Sequence, residues 1–132
     1  MGIRELRLVL TVDDYDGALS FYRDALGLDE QAAYDAPNGG RVVLLSAGRA
    51  TVELADAAQA DYIDEVEVGR RVAGRIRVAF EVTDAAGTTR RLESAGAAVI
   101  AEPTRTPWTS LNSRLTTPDG LQITLFEELD ER

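Results

Sequence analysis

The chain has 132 residues, a length typical of one compact domain. Its 14 basic residues, all of them Arg, and its 23 acidic residues give a net charge of −9, which disfavours nucleic acid and anionic membrane surfaces as partners. The absence of His and Cys excludes disulfides, thiol nucleophiles, histidine acid–base chemistry and Cys/His zinc sites. No apolar run approaches the ~20 residues of a membrane span, and the N-terminus lacks a signal peptide's apolar stretch, so we expect a cytoplasmic protein without membrane contact.

The first half of the chain predicts a β-α-β-β-β unit. Alternating apolar residues predict a strand over Leu6–Val12, after which Asp14 is placed to cap a helix over Tyr15–Leu26. Gly27 is a suitable residue to end that helix. Turn signals then separate three further predicted strands, Leu28–Tyr34, Arg41–Ala47 and Ala50–Ala55.

The second half repeats this layout at an offset of 70 residues, with Arg7 matching Arg77 and Asp14 matching Asp84. It predicts a strand over Ile76–Val82 and a weaker helix over Ala85–Ala95. Three strands follow, at Ala97–Ala101, Leu111–Thr116 and Leu121–Phe126. The predicted organisation is a single domain over 1–132, with module 1 at about 1–56, an exposed linker rich in Asp, Glu and Ala at about 57–73, and module 2 at about 74–132.

Strand alternation gives the sheet one apolar face and one mixed face. On the first strand the apolar row is Leu6, Leu8, Leu10 and Val12, and the opposite row is Arg7, Val9 and Thr11. A sheet curled around its mixed face forms a cup suited to a small ligand. An antiparallel sheet also commonly turns a polar face to water, and alternation alone does not choose between these two interpretations.

Five segments carry a resemblance to a known family. Leu10–Asp14 and Phe21–Leu28 lie in the first half, and Ala79–Asp84, Thr117–Gly120 and Ile123–Phe126 lie in the second. In this order they resemble the vicinal-oxygen-chelate superfamily, which includes glyoxalase I, bleomycin-resistance proteins and extradiol dioxygenases. The resemblance implies an α+β fold in which two βαβββ modules of one chain form a curved, cup-shaped mixed sheet with helices packed outside. It also implies a homodimer.

Metal-using members of that superfamily take one ligand from each of four strands. The positions of this chain that match are Arg7, Glu53, Arg77 and Thr124. Arg offers hydrogen-bond donors only and stays protonated in proteins, so two of the four positions cannot ligate a cation. One carboxylate and one hydroxyl are too few ligands for a hard divalent ion. The resemblance implies the site in outline. The donor chemistry of these four residues predicts that the site holds no metal, and we expect no other cofactor.

Arg7 and Arg77 bring positive charge to the place where relatives hold an ion. One hypothesis is that they hold an anionic ligand group, such as a carboxylate, phosphate or enolate, through forked hydrogen bonds. The alternative is that Arg7, Glu53 and Arg77 form a structural ion triad that fills the cup and binds nothing.

Further candidate ligand contacts are aromatic. Trp108 lies in the segment 103–108, where two prolines predict an extended loop, and it either stacks on a flat ligand or packs in the core or a dimer interface. Phe126 follows Thr124 on the same strand face, and Tyr34, Tyr62 and Asn112 are additional candidates. Glu53 and Glu81 are weak candidates for a general base.

These patterns favour a metal-independent small-molecule-binding protein of the glyoxalase/bleomycin-resistance type, which holds an anionic or aromatic ligand for sequestration of a drug or metabolite. A metal-free lyase, isomerase or cyclase acting on an anionic small molecule is the alternative. A dimeric scaffold with a vestigial site is a third. Metal-dependent glyoxalase or dioxygenase activity is not expected.

Overall fold

In the computed structural model, which describes residues 2–130, eight strands and three helices form one curved mixed sheet and its covering layers. The strands are β1 (Ile3–Thr11), β2 (Asp29–Asp35), β3 (Arg41–Ala47), β4 (Ala50–Ala55), β5 (Ile76–Val82), β6 (Ala98–Arg105), β7 (Ser110–Thr116) and β8 (Gln122–Glu128). The helices are α1 (Tyr15–Leu19), α2 (Ala57–Glu67) and α3 (Ala85–Ser94), and α1 continues into a π-helical segment, Ser20–Ala25.

The strand order is β2-β3-β4-β1-β5-β8-β7-β6. Within each module the first strand pairs in parallel with the last, and the remaining strands pair antiparallel. The modules meet where β1 and β5 pair antiparallel at the centre of the sheet. The predicted pair of βαβββ modules is therefore confirmed. None of the helices in the described residues is long and apolar enough to cross a membrane.

Two hydrophobic core clusters lie on the convex face, one under each outer helix. Under α1, Val43, Leu45 and Leu54 are fully buried together with Tyr15. Under α3, the cluster comprises Val82, Ala85, Leu115, Ile123 and Leu125. These rows are the apolar faces that strand alternation assigns to the helix side, so burial of apolar surface there fixes which face of the sheet becomes the cup.

Both outer helices begin at the aspartates that the sequence predicts as caps. Asp14 Oδ1 accepts the N–H of Gly17 at 3.0 Å, and Asp84 Oδ1 accepts the N–H of Gly87 at 3.0 Å. A Cβ at either glycine would collide with the capping carboxylate. Glycine, a poor helix former, is thus the residue that lets each cap close.

The predicted helix over Tyr15–Leu26 is regular only as far as Leu19. Beyond it the chain widens into the π-helical turn, and Phe21 and Leu26 remain 61% and 60% exposed. The residues of this segment that do pack against the core cluster are Ala18, Leu19 and Tyr22. Gly27 follows with φ +88°, as a helix-ending glycine requires.

The prediction that residues 57–73 form an exposed linker is wrong. They contain α2, in which Gln59, Ile63, Asp64 and Glu67 are buried. Unlike α1 and α3, α2 lies on the concave side of the sheet, where Gln59 and Glu67 contribute to the wall of the cup. Its polar composition misleads because its buried acidic residues, Asp64 and Glu67, form ion pairs with Arg114, far along the chain.

The extended loop predicted over 103–108 is also partly wrong, because β6 runs on through Pro103 to Arg105. Pro lacks a backbone N–H and is tolerated on an edge strand. β6 is the outermost strand of the sheet, and its register shifts between Ala101 and Thr104. The loop is confined to the residues between β6 and β7, which include Trp108.

Candidate functional site

The concave face of the sheet surrounds a cavity of about 570 Å³. Its floor is a small apolar cluster of Val9, Ala79 and Phe126. Its walls come from α2, from the turn after β2 and from the turn before β7. All six residues predicted as ligand contacts line it, namely Arg7, Glu53, Arg77, Trp108, Thr124 and Phe126.

Two rows of side chains cross the floor from strand to strand. In the first row, Val9 pairs with Glu53 on one side and with Arg77 on the other. In the second, Ala79 pairs with Arg7 and with Thr124. Because neighbouring strands lie ~4.8 Å apart, the Cα atoms of Glu53 and Arg77 are separated by about 10 Å. The small side chain between each polar pair leaves room for a ligand atom.

Arg7 is held at one side of the cup. Its Nε donates to Glu5 Oε2 at 2.7 Å, and its guanidinium carbon lies 4.7 Å from the centre of the Phe126 ring. Its Nη1 approaches Glu53 Oε1 only to 4.0 Å. The charge of Arg7 is therefore largely matched by Glu5 and by the ring face.

Arg77 is differently placed, because it is 7% exposed and is directed into the cup from β5. Its Nη1 donates to Thr124 Oγ1 at 2.8 Å, and no carboxylate of residues 2–130 comes within salt-bridge distance of it. Burial, followed by the nearby Arg114 charge, lowers the pKa of Arg77. The ion triad of Arg7, Glu53 and Arg77 does not form, and Arg77 retains N–H donors without a counter-ion.

Glu53 lies across the floor from Arg77 and is 8% exposed. No side chain or backbone group of the described residues donates a hydrogen bond to its carboxylate. Burial raises the pKa of Glu53, although the charges of Arg77 and Arg7 act in the opposite direction. Glu81, the other candidate base, is not among the residues that line the cavity.

A buried ionic network attaches α2 to the sheet. Arg114 on β7 is fully buried and donates to Asp64 Oδ1 at 2.9 Å and to Glu67 Oε1 at 2.7 Å. Asn112 donates to the other oxygen of Glu67 at 2.7 Å. Alternation along the predicted strand Leu111–Thr116 places Asn112 and Arg114 on the cup side. This is the one feature of the sequence that indicates their part in the network. It could not identify their partners, because these are on α2.

The mouth of the cup has an aromatic wall. The rings of Tyr62 on α2 and Trp108 lie 6.0 Å apart at an angle of 51°, and Trp108 is 41% exposed. Tyr34 and Asn112 also line the cavity, as the sequence suggests. Trp108 thus contacts another aromatic residue at the mouth, with part of its ring surface open.

Thr109, next to Trp108, has φ +65°, a left-handed conformation that costs a β-branched residue free energy. Thr109→Gly is therefore expected to raise the free energy of unfolding by about 1 kcal/mol. Urea denaturation measures this change. Thr116→Gly, within β7 at ordinary φ, is the control and should destabilise. A Thr109→Gly variant no more stable than wild type would show that the turn carries no strain.

The family model of the Glyoxalase/Bleomycin resistance protein/Dioxygenase superfamily matches residues 6–125. The chain belongs to this superfamily. No curated protein matches its sequence.

Solved structures of the superfamily fold cover nearly the whole chain. A methylmalonyl-CoA epimerase of Streptomyces coelicolor, in complex with 2-nitronate-propionyl-CoA, is 19% identical, with a TM-score of 0.70 and coverage of 98% of this chain and 100% of that one. A hypothetical protein of Bacillus halodurans is 17% identical, with a TM-score of 0.70 and coverage of 99% and 96%. The methylmalonyl-CoA epimerase of Mycobacterium tuberculosis is 22% identical, with a TM-score of 0.64 and coverage of 98% and 89%. Identities this low show the shared fold alone.

The residues at the superfamily's metal positions do not fit a divalent cation here. Arg7 and Arg77 would repel it, and the Thr124 hydroxyl already accepts a hydrogen bond from Arg77. Glu53 is the one carboxylate of the four matching positions, and hard cations require several oxygen ligands. No cluster of three or more acidic side chains suited to a metal occurs within residues 2–130.

Proposed function

We propose that this protein binds a small molecule carrying an anionic group in the cup, with Arg77 in the place of a metal ion. The supporting observation is a buried guanidinium, directed into an open cavity, with one hydroxyl as its hydrogen-bond acceptor in the described residues. Burying a charge without a counter-ion is costly. A carboxylate or phosphate would supply that counter-ion through charge-assisted, forked hydrogen bonds.

The aromatic wall indicates the rest of the ligand. Phe126 closes the floor, and Tyr62 and Trp108 offer ring faces toward the mouth. Stacking on such faces favours a flat ring. An aromatic carboxylate combines both features, and binding of this kind needs neither a metal nor a catalytic group. Sequestration of a drug or metabolite is the function this site supports best.

Glu53 favours a second candidate, a metal-free enzyme. Its carboxylate faces the cup without a hydrogen-bond donor, burial raises its pKa, and Arg77 lies opposite to stabilise developing negative charge. A reaction that Glu53→Gln abolishes while ligand affinity is retained would identify this protein as an enzyme.

Calorimetric titration with 1-naphthoate and its methyl ester tests the binding proposal. We expect the acid to bind and the ester to bind at least about tenfold more weakly, since a hydrogen-bonded charge contributes roughly 1.5–3 kcal/mol. Arg77→Met should reduce the affinity for the acid by a similar factor, because Met keeps the volume and removes the charge.

Arg49→Met, at the exposed turn between β3 and β4, is the matched control and should bind like wild type. Equal affinity for acid and ester, or an unchanged affinity in Arg77→Met, would rule out Arg77 as the anion site.

A further inference from the structure

Two opposite charges face the floor of the cup without touching each other. Glu53 on β4 and Arg77 on β5 pair with the same residue of β1, Val9, from its two sides. They are 8% and 7% exposed. Arg77 Nη1 donates to Thr124 Oγ1 at 2.8 Å, and no ion pair joins Arg77 to Glu53 in the described residues. Each charge is therefore buried at the cavity with no counter-ion within hydrogen-bond distance.

The Glu53 carboxylate is open to the cavity. Arg7 Nη1 approaches its Oε1 only to 4.0 Å. Among the described residues, the side-chain polar atoms that are fully enclosed and lack a hydrogen bond are Gln59 Oε1 and Arg114 Nε. Neither Glu53 oxygen has a hydrogen bond there, and neither is one of these enclosed atoms, so both oxygens remain accessible from the cup.

Both charged groups extend from firmly held positions of the sheet. β4 lies between β1 and β3, and the cup-side neighbours of Glu53 on it, Thr51 and Ala55, are 3% and 2% exposed. The Arg77 guanidinium is fixed by its hydrogen bond to Thr124. A ligand in the cup therefore meets one positive and one negative group at fixed positions, as pre-organised binding sites require.

A simple anion satisfies only half of this arrangement. Its carboxylate supplies the counter-ion of Arg77, but it brings a second negative charge to the floor and leaves the buried charge of Glu53 uncompensated. A hydroxyl group could donate to Glu53 without balancing that charge. A protonated amine supplies both the donors and the positive charge. A compact zwitterion placed over Val9 can contact both groups.

We propose that Glu53 binds a protonated amine of the ligand, so that the ligand class is an aromatic α-amino acid. Its carboxylate lies on Arg77, its ammonium on Glu53 and its ring against Tyr62 and Trp108. This inference rests on the proposed function, because Arg77 holds the carboxylate. Glu53 then selects against aromatic acids that lack the amine, since these leave its charge unpaired.

Calorimetric titration with 3-(2-naphthyl)alanine and 3-(2-naphthyl)propionate tests this inference. The two probes share the ring, the chain length and the carboxylate, and only the first has an amine. Wild type is expected to bind the preferred enantiomer of the amino acid at least about tenfold more tightly than the propionate, as a charge-assisted hydrogen bond predicts.

Two variants make the test specific to Glu53. In Glu53→Gln, which keeps the shape and removes the charge, the ratio should fall to about threefold or less, because one neutral hydrogen bond remains. The propionate should bind this variant at least as tightly as it binds wild type, because the repulsion is gone. Glu93→Gln, at an exposed residue of α3, is the matched control and should keep the wild-type ratio.

The outcomes separate this inference from the proposed function. Equal binding of both probes to wild type, or a ratio that survives in Glu53→Gln, would overturn the role of Glu53. Loss of both affinities in Glu53→Gln would show that Glu53 supports the structure of the cup instead, and would also overturn it. If both probes bind wild type equally and Arg77→Met weakens both, the proposed function stands and this inference fails. If neither probe binds, or if Arg77→Met leaves both affinities unchanged, both fail.

Discussion

Replacing Arg114 by Met is expected to lower the free energy of unfolding by about 3–5 kcal/mol, the usual cost of removing one partner from a buried ion pair. The guanidinium is fully buried and joins Asp64 and Glu67 to β7. Without it, Asp64 keeps its two backbone N–H donors and Glu67 keeps the Asn112 amide, but neither buried carboxylate retains a guanidinium within hydrogen-bond distance. Urea denaturation followed by circular dichroism measures the loss.

Two variants make the Arg114 test specific. Arg49→Met, which removes an exposed guanidinium, should change stability by less than about 0.5 kcal/mol. Glu67→Gln added to Arg114→Met should recover part of the loss, because it neutralises one of the two buried carboxylates that have lost the guanidinium. An Arg114→Met variant within about 1 kcal/mol of wild type would mean that the network does not hold α2 in place.

Arg114→Met should also change how the free energy of unfolding falls at low pH. Burial alone would raise the pKa of Asp64, but the N–H groups of Ala73 and Val72 and the Arg114 guanidinium lower it below its ordinary value. A carboxyl with a depressed folded-state pKa stabilises the fold above its unfolded pKa, and that stability is lost as pH falls through the folded pKa. Removing Arg114 raises the pKa of Asp64 in the folded state. The loss of stability that protonation of Asp64 causes on acidification should therefore begin at a higher pH.

Gly40→Ala is expected to destabilise the protein by about 1–3 kcal/mol, as overpacking against atoms that cannot move away does. The added methyl would collide with backbone atoms of Gln59 and Ala58 in the first turn of α2. The turn must shift, which also disturbs the cavity wall that Gln59 forms. Thermal denaturation compares the variant with wild type.

Gly74→Ala is the matched control for Gly40→Ala. Nothing lies within 4 Å of a Cβ at Gly74, and its φ is not in the left-handed region. It should be as stable as wild type or slightly more stable, because Ala restricts the unfolded chain. Equal stability of the two variants would contradict the close approach of Gly40 to α2.

The fold could be predicted because its signals are local and repeated. The offset of 70 residues pairs Arg7 with Arg77 and Asp14 with Asp84, and each pair occupies equivalent positions in the two modules. Strand alternation then places Arg7, Glu53, Arg77 and Thr124 on one face. Period-2 patterning is sufficient for this because burial of the opposite face fixes the register.

Long-range partners could not be predicted in this way. α2 has the composition of a solvated segment, and its burial is explained by the contacts of Asp64 and Glu67 with Arg114, which lies 50 and 47 positions away. The choice between an ion triad and a free Arg77 also depends on side-chain directions, since Arg7 turns to Glu5 and Phe126.

The most direct test of the central claim is a crystal structure of the protein with 1-naphthoate. The account predicts both carboxylate oxygens within about 3 Å of the Arg77 guanidinium, with the ring against Tyr62 and Trp108. A structure in which Arg77 closes onto Glu53 while naphthoate binds outside the cup would contradict it.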